Sequence, residues 1–168
     1  MWGRVMNNGK ASTLTTVCAA AVMVLCPVLA AVPAQADGGD QGGVVLSEIN
    51  ATRAANGCGP VAANPQLTHS AARQANDMLA NGVTDHTGSD GSSLVQRVTD
   101  AGYAPYASLG EVIFWSSGLS DAPAAAVSWW MNSPGHRAII TDCTLTDAGF
   151  SAVSNGDNMT AAGDFGRK

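Results

Sequence analysis

Asn155-Gly156 lies between two alternating runs, Ala148-Phe150-Ala152 before it and Met159 to Phe165 after it. This is the strongest local signature of a β-hairpin, because glycine supplies the positive φ of a tight turn while a period of two fixes which side chains face inward. The chain must end in two antiparallel strands, and the preceding sequence has to cover them. Helices provide the cover. Asn64-Pro65 opens the clearest one, with Leu67, Ala71, Ala75, Met78 and Leu79 as its apolar stripe and Asn81-Gly82 as its stop. His69 falls off that stripe and reads as a solvated surface residue. An earlier helix carries Val45, Leu46, Ile49 and Arg53 and stops at Asn56-Gly57. Ser92 or Ser93 caps a short helix through Leu94, Val95 and Val98, closed by Gly102, and Asp121 caps another from Ala122 to Met131. Pro134 prevents a smooth continuation, and helical spacing returns at His136, Ile139 and Ile140. Glu111 to Trp115 reads as extended, since Val, Ile, Phe and Trp suit a half-buried pleat. The class expected is α+β, a small antiparallel sheet with helices on both faces.

Residues 1–36 read as a secretory signal. Arg4 and Lys10 make a basic start, Val17 to Val32 is apolar, and Ala34-Gln35-Ala36 is a small-x-small cleavage site. The apolar run is interrupted by Pro27 and is short for a bilayer, so export and release are expected rather than stable membrane insertion. Cys18 and Cys26 lack the small preceding residue that lipoprotein processing needs. Residues 37–43, Gly-rich and acidic, read as a flexible leader, and 44–168 as one domain. Arg4 and Lys10 are the only charges before Asp37, so their removal takes the formal charge from −5 to −7. With scattered arginines and an acidic balance, nucleic acid is not an expected partner, and anionic membrane repels the chain on average. Cys58 and Cys143 remain after cleavage. In an oxidising compartment such a pair reads first as a disulfide, with a thiol metal site as the alternative.

Chemistry concentrates in few residues. The chain has three histidines, and His86 and His136 accompany an isolated Gly110-Glu111. Two imidazoles and one carboxylate suit Zn²⁺ with an open water position, a site that either holds structure or polarises water. The alternative is that both histidines hydrogen-bond Glu111 and loop backbone and simply hold a cleft in shape. Ser133 as nucleophile, His136 as base and Glu111 as orienter would make a hydrolase triad, although no Gly-x-Ser-x-Gly elbow is present and Ser133 before Pro134 also suits an N-cap. Phe114, Trp115, Trp129 and Trp130 either line an apolar groove or belong to the core. Arg137 pairs with an acid, caps carbonyls or meets an anionic ligand.

Asn50 with Arg53, Asn64-Pro65-x-Leu67, Asp85-His86-Thr87-Gly88, Arg97 with Gly102-Tyr103, Gly110-Glu111, Trp130 through Ser133-Pro134-Gly135-His136-Arg137, and Ala148-Gly149-Phe150 occur in this order. In them the chain resembles the cysteine-rich secretory, antigen 5 and pathogenesis-related superfamily, the CAP or SCP domain, and looks most like its compact bacterial secreted branch. The resemblance covers Val45 to Phe165. It implies an α-β-α sandwich with a cleft lined by two histidines and two acidic residues. His86, Glu111 and His136 match three of these. Ser133 stands where many relatives place the second glutamate, and Val112 replaces the asparagine after Glu111. The functions implied are a non-enzymatic binder of a small apolar or lipid-like ligand, with Zn²⁺ as a candidate cofactor, or a hydrolase of peptide or envelope material in the same cleft, or a structural or host-interaction module.

Overall fold

Asn64 starts the longest helix of the described residues by accepting hydrogen bonds from the backbone N–H groups of Gln66 (3.0 Å) and Leu67 (3.3 Å), two of the donors a helix start leaves unpaired. That helix is one element of a computed structural model that describes residues 39–118 and 123–168. The secretory segment 1–36, leader residues 37 and 38, and the cap expected at Asp121 lie outside the described residues. In chain order the elements are α1 (Gly42–Ala55), β1 (Ala62–Ala63), α2 (Pro65–Asn81), α3 (Leu94–Asp100), β2 (Ser108–Ser117), α4 (Pro123–Asn132), α5 (Pro134–Ile140), β3 (Asp147–Ser154) and β4 (Asn158–Arg167).

Two further helix boundaries have a local cause. Gly82 ends α2 in the left-handed conformation at φ +69°, which costs glycine nothing sterically. Ser93 caps α3 through Gln96 N–H. The leader departs from expectation. Asp40 Oδ1 accepts from the N–H groups of Gly42 and Ala152 (both 2.9 Å), Asp40 Oδ2 accepts from Ser151 Oγ (2.7 Å), and Gln41 N–H donates to the Ala152 carbonyl. The segment is therefore pinned to the sheet from residue 40, because one carboxylate satisfies a helix start and a strand together.

The sheet order is β1-β3-β4-β2. β3 and β4 form the expected hairpin, but Asn155 N–H donates to the Asn158 carbonyl (3.0 Å), so the tip is Gly156-Asp157, one residue later than the Asn-Gly pair suggests. Gly156 at φ +80° occupies the first tip position. β2 pairs antiparallel with β4 over its whole length. The purely antiparallel sheet expected from sequence becomes a mixed one, because β1 pairs parallel with β3. Two alanines carry no strand signal. They are placed by Asn50, whose amide both donates to and accepts from the Val61 backbone.

Helices cover both faces, as the layered class requires. Val112, Phe114, Phe150, Ala161 and Phe165 pack with residues of α1, α4 and α5, including Val45, Ile49, Trp130 and Ile140. On the other face Ile113 and Ala162 pack with Ala71, Ala75 and Met78 of α2. Trp130 is fully buried and its indole N–H donates to the Ile113 carbonyl (2.8 Å), so the polar handle is satisfied inside the core. β2 is one edge strand of the sheet and β1 the other.

Candidate functional site

Glu111 sits in the middle of β2 with its neighbour across the ladder at Asp164. Strand alternation turns both toward the α2 and α3 side, and both are buried. Arg97, buried on α3, reaches one Glu111 oxygen in a close ion pair and donates to the carbonyls of Ser92 (2.8 Å) and His86 (3.2 Å). The other Glu111 oxygen meets His86 Nδ1 at 2.7 Å. One guanidinium thereby fixes the carboxylate and the loop that carries the histidine. Gln74 of α2 adds a second tie to that loop by donating to the Asp85 carbonyl (2.8 Å). His86 is half-exposed above this buried base.

His136 approaches from α5. Its Nδ1 faces Ser133 Oγ at 2.9 Å, and Ser133 holds the N-cap position without capping with its side chain. The two imidazole centroids are 6.3 Å apart. Gly110 lets α5 come close, since a Cβ there would meet Ile139 Cγ2 at 2.8 Å. The structure thus brings His86, Glu111 and His136 to one place at the β2 edge, with Ser133 beside His136. It does not assemble Ser133-His136-Glu111 as a triad, because the Glu111 oxygens go to His86 and Arg97. Nor do the three candidate ligands converge as a ready cage: among the described residues no group of three His, Cys, Asp or Glu side chains is placed to hold a metal ion.

The two imidazoles are pushed in opposite directions. The hydrogen bond to Glu111 raises the His86 pKa above its ordinary value, whereas burial, and then the nearby charge of His86, lowers that of His136. Beneath them, Asp164 is fully buried, and burial together with the neighbouring Glu111 charge holds its pKa well above the carboxylate range. Arg97 is the guanidinium that pairs with Glu111 beside this second buried acid. Sequence reasoning named Arg97 only as a landmark and missed Asp164. The available signal was an acid at an inward position of a strand covered on both faces.

The aromatics divide. Trp130 and Phe114 are core, whereas Trp115 and Trp129 are 45% and 44% exposed. The Trp129 ring lies 5.2 Å from His136, 6.0 Å from Phe114 and 6.3 Å from Trp115. A half-open aromatic wall therefore adjoins the imidazoles. Among the described residues Arg137 is paired with no acid; its Nε donates to the Met131 carbonyl at the end of α4 (2.6 Å). The two cysteines form the expected disulfide, Cys58–Cys143, with Cα atoms 5.0 Å apart.

Residues 46–165 match the model of the cysteine-rich secretory protein family, CAP. Among solved structures, an extracellular SCP-domain protein from Bacillus anthracis is 24% identical with a TM-score of 0.63 over 76% of this chain and 40% of that one. An outer surface protein of Borrelia burgdorferi is 20% identical with a TM-score of 0.66 over 78% of this chain and 99% of that one. A cysteine-rich secretory protein of Staphylococcus aureus is 19% identical with a TM-score of 0.56 over 76% and 40%. The chain spans two fifths of the first and third of these proteins, and at such identities the likeness is one of fold. A comparison with curated proteins finds no match. No helix among the described residues is long and apolar enough to cross a membrane.

Proposed function

This chain belongs to the CAP, cysteine-rich secretory protein family, and from that premise we propose that it is a secreted, non-enzymatic binder of a small apolar or lipid-like ligand at the His86–His136 cleft. The observation that carries the reading is the half-exposed Trp129 ring 5.2 Å from His136, with Trp115 next to it. Large apolar rings left half open beside a cleft provide contact area for an apolar guest. The Glu111 carboxylate is paired with Arg97 and hydrogen-bonded to His86, so it offers no unpaired charge to repel such a guest. Titration of the purified secreted protein with fatty acids and sterols, followed by tryptophan fluorescence, tests the reading. Saturable binding that weakens about tenfold or more in Trp129→Ala supports it, and absence of saturable uptake across the panel overturns it.

The donor set fits Zn²⁺ as far as two neutral imidazoles. His86 and His136 each have Nδ1 engaged, by Glu111 and by Ser133, the arrangement that orients a ring for metal ligation through its other nitrogen. Glu111 would orient His86 rather than ligate, and water would fill the remaining positions. A bound ion would supply Lewis acidity there. Imidazoles must be neutral to ligate, so affinity should fall as the pH falls through the histidine range near 6.5, and the raised His86 value moves that loss to higher pH. Calorimetry with Zn²⁺ across pH 5 to 8 checks this; heats independent of pH would remove the histidines from the site. The rival reading is a hydrolase, favoured by the opposed shifts of His86 and His136, which suit an acid and a base. Peptide or envelope hydrolysis abolished in both His86→Ala and His136→Ala would establish it.

A further inference from the structure

Asn-Gly occurs three times among the described residues, at Asn56-Gly57, Asn81-Gly82 and Asn155-Gly156, and all six residues are exposed. In this dipeptide an asparagine side chain is open to attack by its own backbone, because the residue that follows has no Cβ to keep its amide nitrogen away from the side-chain carbon. Exposure does not separate the three pairs, but hydrogen bonding does. Asn56 Nδ2 donates to the Thr52 carbonyl (2.8 Å) and Gly57 N–H to that of Ala54 (3.1 Å). Asn81 Nδ2 donates to Asp77 Oδ1 (2.7 Å) and Ser89 Oγ (3.3 Å), and Gly82 N–H to the Met78 carbonyl (3.0 Å). In both pairs a helix end holds the group that would leave and the nitrogen that would attack. At the hairpin tip neither the Asn155 side-chain amide nor the Gly156 N–H has a partner among the described residues.

We propose that Asn155 is a self-modification site, deamidating through a cyclic imide with Gly156 while Asn56 and Asn81 are protected, and that its isoaspartate product releases the end of β2 from the hairpin tip. The Gly156 amide nitrogen gives its proton to solvent base and attacks Asn155 Cγ. The N–Cγ bond forms, the Cγ–Nδ2 bond breaks, and ammonia leaves with a proton taken from water. Water then opens the ring. Addition at Cγ breaks its bond to the Gly156 nitrogen and leaves an aspartate at position 155. Addition at the main-chain carbonyl carbon leaves an isoaspartate, whose backbone runs through Cβ and is one atom longer. No electrons change hands, and water is the only co-reactant. Either product adds a carboxylate, ionised at neutral pH, near Asp157. The tip is tied down at two places: Asn155 N–H donates to the Asn158 carbonyl (3.0 Å), and Gly118 N–H, just past β2, donates to the Asp157 carbonyl (2.7 Å). A longer backbone between positions 155 and 156 displaces that second carbonyl, so the tie to β2 weakens. The site lies apart from the histidine cleft and stands whether or not that cleft takes a ligand.

The purified secreted protein, aged in warm, mildly alkaline buffer made with heavy-oxygen water, tests the proposal by isoelectric focusing and peptide mass mapping. One more acidic species is expected, with the heavy oxygen in the peptide that carries position 155, forming at least about tenfold faster than any product at Asn56 or Asn81. In denaturing urea the three rates should converge to within about twofold, because the protection belongs to the fold. Asn155→Gln should abolish the species, since its ring closure needs one more methylene. In the isoaspartate fraction the Gly118 amide should exchange with deuterium at least about tenfold faster than in fresh protein. No acidic species in the folded protein, reaction at Asn56 or Asn81 as fast as at Asn155, a rate ratio unchanged by urea, the same species from Asn155→Gln, or unaltered Gly118 exchange would each overturn the proposal.

Discussion

Arg97 carries one positive charge into a place that holds two acids. It is buried with Glu111, and Asp164 lies one strand over, also buried. Removing the cation leaves an uncompensated buried charge, so Arg97→Ala should cost about 3–5 kcal/mol in chemical denaturation. Arg97→Lys should recover little, because an ammonium cannot reach Glu111 and the carbonyls of His86 and Ser92 in one planar fork. A cost below about 1 kcal/mol would mean that Glu111 is not held by this pair. Asp164 has the opposite sign. A carboxyl whose folded-state pKa lies above its unfolded value holds its proton more tightly when folded. Its stabilising contribution is therefore full below the ordinary Asp range near 4 and is lost as the pH rises toward the raised value. Asp164→Asn keeps the shape of the protonated acid without that loss. It should unfold at higher denaturant than the parent at pH 7 and remove part of the slope of stability between pH 4 and 7. A lower midpoint at pH 7 would show that Asp164 works as an anion.

Between helix and sheet, glycine sets an approach of backbone to backbone at two points. A Cβ on Gly149 of β3 would stand 1.9 Å from Thr68 N and 2.3 Å from the Leu67 carbonyl carbon, so α2 lies directly on strand backbone. A Cβ on Gly42 of α1 would stand 2.1 Å from the Phe150 carbonyl oxygen. Backbone cannot step aside as a flexible side chain can. Gly149→Ala should therefore cost about 3 kcal/mol or more in thermal unfolding, while Gly135→Ala, with open space around its Cβ, should be neutral or stabilising by up to about 1 kcal/mol. Equal effects from the two would refute the close approach. The helices and the hairpin were legible in the sequence because their signals are local: Asn64, Ser93 and Gly82 act within one turn of themselves. The parallel strand β1 was not, since two alanines are placed by Asn50 reaching across from α1. The leader was misread for a related reason, as Asp40 gains its partners on a strand more than a hundred positions later. At the site, His86, Glu111 and His136 were nameable from the family pattern. Which oxygen meets which ring was not, because it depends on Arg97 and on the register that sets Asp164 beside Glu111.

Across the molecule, α1 and the segment after α5 are held together twice. Cys58–Cys143 is the covalent tie and closes a sequence separation of 85 residues. Arg53 is the other: buried at the end of α1, it donates to the carbonyls of Gly59, Ile140, Asp142 and Leu145 at 2.8–3.0 Å. The chain-entropy estimate for a loop of this size is about 4–5 kcal/mol. The double variant Cys58→Ser/Cys143→Ser should lose on that order in chemical denaturation yet keep native near-ultraviolet dichroism, because Arg53 still registers the same corner. Loss of the dichroism in unheated, denaturant-free buffer would assign the corner to the sulfur bridge alone. Unlike the sulfur bridge, the guanidinium clamp forms alike in reducing and in oxidising surroundings. The corner can thus be shaped before the thiols meet an oxidant, so that bond formation follows folding instead of directing it.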